Sequence, residues 1–347
     1  MSVALDFGAW HLKSLRFVGD RLSVRRCPAV YAVLPDSDSY RRALKRMSIP
    51  YGVCEAALVL IGDDAVDYAG LFQVPCVPLM PGGGIPRADP PARQILASLV
   101  ASLLPEPSGP DAVCCLTFSG ANEEGGSSGE VGDFEFLTRL VEMQGYKPLV
   151  IPSGLAVVLA EGVQESFTGI GLAIGAETSE LSLAHCGQQV IGISIGRGGR
   201  WIDEQLAREC EHYAWDADGN RYLDTASSLN WEESFSGSIL QPATVRETLL
   251  AQFSEELATH VIQEAARELA RSPRIRSVPQ PLSLVCSGGI TQVSGFNALL
   301  ERTVHKTPFP VKIQSVRLAA DPTDAVVRGC LIRAELEAET LRQQRAA

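Results

Sequence analysis

The sequence predicts an α/β protein whose two lobes repeat one design, and three observations carry this. A glycine-tipped hairpin pattern occurs twice. It reads Val-Ala-Leu-Asp-Phe-Gly-Ala-Trp-His-Leu-Lys-Ser-Leu-Arg-Phe over Val3 to Phe17, and Ile-Gly-Leu-Ala-Ile-Gly-Ala-Glu-Thr-Ser-Glu-Leu-Ser-Leu-Ala over Ile170 to Ala184. Superposing Gly8 on Gly175 aligns Leu5 with Leu172, Phe7 with Ile174 and Ala9 with Ala176. Strand and helix patterns alternate after each hairpin. At 347 residues the chain also exceeds most single cores, which favours two domains.

Each hairpin tip brings backbone N–H groups toward an anion. Gly175 has no side chain, Thr178 and Ser179 add hydroxyl donors, and Lys13 supplies a charge that neither turn provides. Facing turns would grip a polyphosphate from both sides of a cleft.

Composition narrows the class. Hydrophobic residues make up 46% and aromatics 6%, as in an ordinary globular protein. A net charge of −11 and a pI near 5.0 disfavour nucleic-acid binding. With no run of about 18 uncharged hydrophobic residues and no apolar leader after Met1, the reading is cytoplasmic. Nine cysteines, including the adjacent Cys114 and Cys115 in a buried strand pattern, read as core thiols in a reducing compartment.

In order, Arg21 to Val33 reads as a strand, and Asp36 to Ser39 opens a short helix carrying Arg41, Arg42, Lys45 and Arg46. That basic cluster is read first as a solvated helix face, with contact to an anionic surface as the alternative. Ala57 to Ile61 is a strand followed by a short helix, and Pro91 to Leu104 an amphipathic helix. The strand Ala112 to Phe118 leads through a Gly, Ser and Glu-rich loop, Ser119 to Gly132, to Asp133 and a helix from Phe134 to Gln144. Pro148 to Ile151 and the helix Ser153 to Ala160 precede the second hairpin. The strand Val190 to Ile195 then leads through Gly196, Gly198 and Gly199 into a helix from Trp201 to Glu211.

Ser194 sits within the strand in a formal nucleophile-elbow pattern, but the motif needs its serine on the turn that opens a helix. Asp216-Ala217-Asp218-Gly219-Asn220 lacks calcium-loop spacing and reads as a polar turn. Thr244 with Glu247 opens a long helix by a capping box. Leu282 to Cys286 is a buried strand ending in Ser287-Gly288-Gly289, and a terminal helix runs from Asp324.

Asp6-Phe7-Gly8 with Lys13, Gly175 to Ser179, and Ser287-Gly288-Gly289-Ile290 with Gly295-Phe296 stand in an order that resembles the actin, sugar-kinase and heat-shock-chaperone ATPase superfamily. Within it the chain resembles bacterial actins of the MreB type. Further matches are Cys27 to Val33, Ile61 to Ala65, Gly84 to Asp89, Gly198-Gly199 with Asp203, and Asp321-Pro322 with Arg328-Gly329.

The resemblance implies an actin-like ATPase fold: two duplicated ribonuclease H-like lobes around a nucleotide cleft. Lobe I would take 1–150 plus 321–347 and lobe II 151–320, with a divergent inserted subdomain near 212–240 and hinges around Val150 to Ser153 and before the terminal helix. It implies ATP with magnesium, and self-association into filaments. Asp6 would face the metal and Lys13 a β-phosphate. Gly8, Ala9, Gly175, Ala176, Glu177, Thr178, Gly198, Gly199, Ser287, Gly288, Gly289 and Ile290 would contact the nucleotide. Asp133 would position the attacking water, the other reading being a helix N-cap. The double glycine Gly288-Gly289 would let a flat ring lie on backbone without a Cβ clash.

Departures from the family pattern bear on function. Ala173 stands where an Asp normally opens the second phosphate loop, and Glu177 where a Gly is usual, although Gly-Ala-Glu-Thr resembles the loop of PilM, the type IV pilus actin homologue. Ile151-Pro152 replaces Glu-Pro, and Asn230 stands at a base-side lysine position. Neither an N-terminal amphipathic helix nor a hydrophobic loop precedes the strand Ala112 to Phe118, the loop Pro105 to Pro110 being short and polar, so direct membrane anchoring is disfavoured. The leading expectation is a nucleotide-dependent cytoskeletal filament protein serving cell shape or intracellular organisation, with impaired hydrolysis. The alternatives are a non-polymerising PilM-like adaptor for a protein partner and a small-molecule kinase.

Overall fold

The structure, a computed structural model, describes residues 2–54, 56–86, 89–109, 111–119, 130–216 and 219–346. Parts of four sequence expectations lie outside the described residues: most of the Ser119 to Gly132 loop, Arg87-Ala88 of the Gly84 to Asp89 match, Pro110 of the polar loop, and Ala217-Asp218 of the calcium-like turn.

The chain opens with an antiparallel meander of β1 (Ser2–Phe7), β2 (His11–Val18) and β3 (Arg21–Pro28). The strand expected from Arg21 to Val33 is two strands, because β4 (Val30–Pro35) enters another sheet. Pro28 has no N–H for the ladder, and Ala29 donates to the Trp10 carbonyl and accepts from Leu79, which carries the chain across. Next come α1 (Asp38–Met47), β5 (Gly52–Cys54), β6 (Ala57–Ile61), α2 (Asp63–Tyr68) and β7 (Val77–Pro78). They complete a four-stranded sheet, β5-β6-β4-β7, with a core around Leu34, Leu44, Leu58 and Leu60. Ser37 caps α1, whose Leu44 is buried while Arg42, Lys45 and Arg46 are exposed and Arg41 pairs with Asp36.

Two helices and two strands then return to the first sheet: α3 (Pro90–Leu103), capped by the Asp89 side chain, then β8 (Val113–Phe118), α4 (Glu130–Met143) and β9 (Lys147–Val150). β8 runs parallel to β1 and β9 parallel to β8, giving the order β3-β2-β1-β8-β9.

The second half repeats this order. After α5 (Ser153–Glu161), β10 (Gly169–Ile174), β11 (Ser179–His185) and β12 (Gln188–Ile195) form an antiparallel meander. There follow α6 (Arg200–Glu209), the ribbon β13 (Tyr213–Trp215) and β14 (Arg221–Leu223), and α7 (Thr225–Ser234). α8 (Val245–Arg271) starts at Thr244, whose hydroxyl accepts the Glu247 N–H as the capping box requires. β15 (Leu282–Ser287), α9 (Phe296–Lys306), β16 (Ile313–Leu318) and α10 (Ala325–Ala346) close the chain. β15 joins β10 and β16 joins β15, both parallel, so the order is β12-β11-β10-β15-β16.

Helices α3 and α4 cover the outer face of the first sheet, and α8 and α9 that of the second. Between the sheets, α10 packs on β1 and β8 while α5 packs on β10 and β11. The two central helices meet where a Cβ on Gly329 would lie 1.8 Å from the Ala156 carbonyl oxygen, so no other residue allows that approach. Both glycine turns therefore open toward the same space beside the central helix pair.

Candidate functional site

That space is a cavity of about 610 Å³, a size that suits a small ligand. Of the residues singled out in the sequence, Asp6, Gly8, Ala9, Lys13, Gly175, Ala176, Glu177, Thr178, Gly199, Ser287, Gly288, Gly289 and Ile290 line it. Gly198 supports it from behind, since its added Cβ would lie 2.4 Å from the carbonyl oxygens of Gly175 and Ala176. Gly199 and Arg200 donate backbone N–H groups to those two carbonyls at 2.9 Å, which fixes the second turn on the start of α6.

Asp133 is not among the described lining residues. α4 begins at Glu130, so Asp133 lies in the first turn of the helix rather than at its cap. Its Oδ2 accepts the Ile85 N–H at 3.0 Å and so holds the loop after β7.

The two turns match in geometry. A Cβ on Gly8 would meet the His11 carbonyl oxygen at 2.7 Å, and one on Gly175 the Thr178 carbonyl oxygen at 2.9 Å. Asp6 has Lys13 as its partner on β2 and Thr117 on β8. Ala173, the equivalent position, has Glu180 on β11 and Ser287 on β15. Thr117 and Ser287 are thus counterparts, both buried, both lining the cavity, and both with hydroxyls lacking a partner. Sequence reasoning missed Thr117; the signal was the strand Ala112 to Phe118, once paired in register with β1.

Charge is arranged unevenly between the lobes. Burial pushes the Asp6 carboxyl up to about 6, Lys13 pulling it down and Asp324 adding to the rise. Lys13 donates to the Thr323 carbonyl and lies 3.6 Å from Asp324, which also pairs with Arg26. In the second lobe the Glu180 carboxylate, nearly fully buried, accepts the Ser153 N–H at 3.1 Å at the start of α5. Glu177 lies 3.5 Å from Arg200 and accepts from the Gly82 backbone, while burial pushes its carboxyl up. Ser119 and Thr178, both in the cavity lining, share a 3.0 Å hydroxyl contact that joins the end of β8 to the second glycine turn.

Gly288 and Gly289 differ in what they require. Gly288 has φ +124° and an added Cβ would fall 1.9 Å from the Ile174 carbonyl oxygen, whereas one on Gly289 meets nothing within 4 Å. Gly289 therefore borders open space, whereas glycine at 288 is required by the fold.

α6 and α7 contribute Asp203 and Glu232 to the cavity lining, a pairing that the sequence pattern does not show. Burial raises both carboxyls, Asp203 to about 9 with Glu232 adding to the rise, and Glu232 to about 7 with Glu233 adding. Their Oδ1 and Oε2 atoms have no hydrogen-bond partner.

Two sheets of one order, a central helix pair and a cavity at paired glycine turns define an actin-like fold. Solved structures agree on the fold. The chain is similar to a MamK double helical filament at TM-score 0.67 and 17% identity, covering 96% of this chain and 99% of that one. It is also similar to MreB5 of Spiroplasma citri bound to ADP, at TM-score 0.64 and 15% identity, covering 98% of each. The chain belongs to the Volactin family, whose model matches residues 1–334. No curated protein sequence matches it.

Proposed function

We propose that the protein binds an adenine nucleotide with magnesium in the cavity and assembles with copies of itself into filaments. The observation that supports nucleotide binding is the pair of matched glycine turns lining one cavity, with unpartnered hydroxyls of Thr117 and Ser287 between them. Buried polar atoms without partners cost stability unless a ligand satisfies them. The turns would hold phosphates through backbone N–H groups, Lys13 would add charge, and Gly289 would receive the base. In this reading the lobes are 1–150 plus 321–347 and 151–320, with 212–240 inserted in the second, and the protein acts in the cytoplasm. No described helix is long and apolar enough to cross a membrane.

Asp6 is the carboxylate that fits magnesium, and one carboxylate suffices for an ion that keeps its waters and binds mainly through phosphates. A bound metal would offset phosphate charge. Assembly draws support from the neighbouring MamK filament, of the same fold. Closing the cleft would change the angle between lobes and hence the end surfaces.

Pelleting and negative-stain images with and without MgATP test this reading. Filaments that depend on nucleotide are expected. A uniform monomer across concentration and nucleotide state would favour an adaptor that binds nucleotide without polymerising.

A further inference from the structure

The start of α5 is wedged between the two sheets. The Ile151 N–H donates to the Leu116 carbonyl at 3.1 Å, next to Thr117 of β8. On the other side a Cβ on Gly154 would lie 2.5 Å from the Ser182 nitrogen of β11, so the helix lies directly against that strand. Ser153, between them, is half-buried and lines the cavity. Its Oγ–H and its N–H both donate to the Glu180 carboxylate, which is 2% exposed. Glu180 pairs across the strands with Ala173 as Lys13 pairs with Asp6, so it stands where Lys13 stands in the first lobe. Lys13 reaches the Thr323 carbonyl just before α10, and Glu180 reaches Ser153 at the start of α5. The repeat keeps the geometry and inverts the charge.

An acidic side chain at this position is poorly suited to hold a phosphate, but it is suited to take a proton. A hydroxyl within hydrogen-bond reach of a carboxylate, both held by the fold, is the arrangement of an activated nucleophile. Thr117, whose buried hydroxyl has no partner, lines the same cavity and is left for a group that enters it. Resting on the nucleotide reading above, we propose that Ser153 is a phosphoryl acceptor: its Oγ attacks the terminal phosphate of a nucleoside triphosphate in the cavity while Glu180 takes the Oγ proton. The bond that forms joins Ser153 Oγ to the terminal phosphorus. The bond that breaks joins that phosphorus to the bridging oxygen, and its electron pair leaves with the nucleoside diphosphate. Glu180 is neutral once protonated and does not repel the product, and the phosphoryl group lies at the N-terminus of α5, where the helix dipole favours negative charge. A nucleophile fixed in advance by the helix also needs no water to be positioned. Asp133, the residue expected to position one, is instead engaged by the Ile85 N–H.

Intact-mass spectrometry and peptide mapping of the full chain after incubation with MgATP test this, with calorimetry of MgATP binding in parallel. Wild type should gain one phosphoryl group per chain, on Ser153. Ser153→Ala should gain none, Ser153→Thr should carry the group on the threonine, and Glu180→Gln should slow the transfer by about a hundredfold or more. The threonine variant keeps a hydroxyl at the helix start, so it reports even if Glu180→Gln folds poorly. Wild type that binds ATP but gains no phosphoryl group, or gains it on another residue, would overturn the inference while leaving the nucleotide reading intact. Transfer at the wild-type rate in Glu180→Gln would overturn the assignment of Glu180 as the base. Absence of ATP binding would instead overturn the nucleotide reading, and this one with it.

Discussion

The Lys13 ammonium lies 3.6 Å from the Asp324 carboxylate, joining the first hairpin to the residue that leads into the terminal helix. Both side chains are largely buried, and Asp324 also holds Arg26. Asp324 thus balances, from the start of the terminal helix, the charge that Lys13 brings to the cavity.

Asp324→Asn should leave Lys13 as a buried cation without its counter-charge and lower stability by about 3 kcal/mol. A bound polyphosphate supplies the missing charge, so MgATP should recover much of that loss. Urea titrations of wild type and variant, each with and without MgATP, measure it. A deficit of the same size in both conditions would remove Lys13 from the phosphate site.

The two glycines after β15 separate fold from function. Gly288→Ala pushes a Cβ into the Ile174 carbonyl and should destabilise the protein whether or not nucleotide is present. Gly289→Val meets open space, so the nucleotide-free protein should melt within about 0.5 kcal/mol of wild type. At a hundredfold excess over the dissociation constant ATP should stabilise wild type by roughly 2.7 kcal/mol, and Gly289→Val should abolish that gain. Thermal melts decide it, and a retained ATP shift in Gly289→Val would place the ring elsewhere.

Much of this arrangement was legible in the residues because local rules agreed with the global fold. The hairpin duplication was visible since Gly8 and Gly175 each sit where only a missing Cβ clears a carbonyl three residues on. α8 was visible because its cap and its apolar spacing coincide. β16 was not: it is an edge strand in which Gln314 and Ser315 are exposed and Val316 alone is fully buried, so Ile-Gln-Ser-Val-Arg-Leu carries little hydrophobic signal. Asp203 and Glu232 escaped pairing because 29 positions separate them, and only the packing of α6 on α7 brings them to one cavity wall. Thr117 was hidden inside an apolar run, and register with Asp6 gives it meaning.

Asp6 makes stability depend on pH. Its folded value of about 6 exceeds that of an exposed aspartate, so between about 4 and 6 the folded protein binds a proton that the unfolded chain has released. Stability from this group is therefore present below about 4 and lost as pH rises through 6, by on the order of 2 to 3 kcal/mol. Asp6→Asn should be more stable than wild type at pH 7 and should flatten this window. Denaturant midpoints at pH 4.5, 5.5 and 7 check it. Equal slopes for variant and wild type would show that another group carries the dependence.

If the cavity holds a nucleotide as proposed, position 173 is expected to limit its hydrolysis. Ala173 holds the place in the second sheet that Asp6 holds in the first, so the metal would be organised from one side only. In-line attack needs the β- and γ-phosphate charge offset in a fixed geometry, and a misplacement of about 1 Å costs on the order of a hundredfold in rate. Binding through backbone donors and Gly289 depends less on the metal. Ala173→Asp should therefore raise phosphate release by about ten- to a hundredfold with little change in ATP affinity. It also sets a carboxylate across the strands from buried Glu180, so stability should fall by about 1 kcal/mol or more. Glu177 is the competing metal ligand, but Arg200 and the Gly82 N–H already engage its carboxylate. If wild type releases phosphate briskly and Glu177→Ala abolishes it, Glu177 has taken the metal-facing role and the missing carboxylate at 173 is not what limits the reaction.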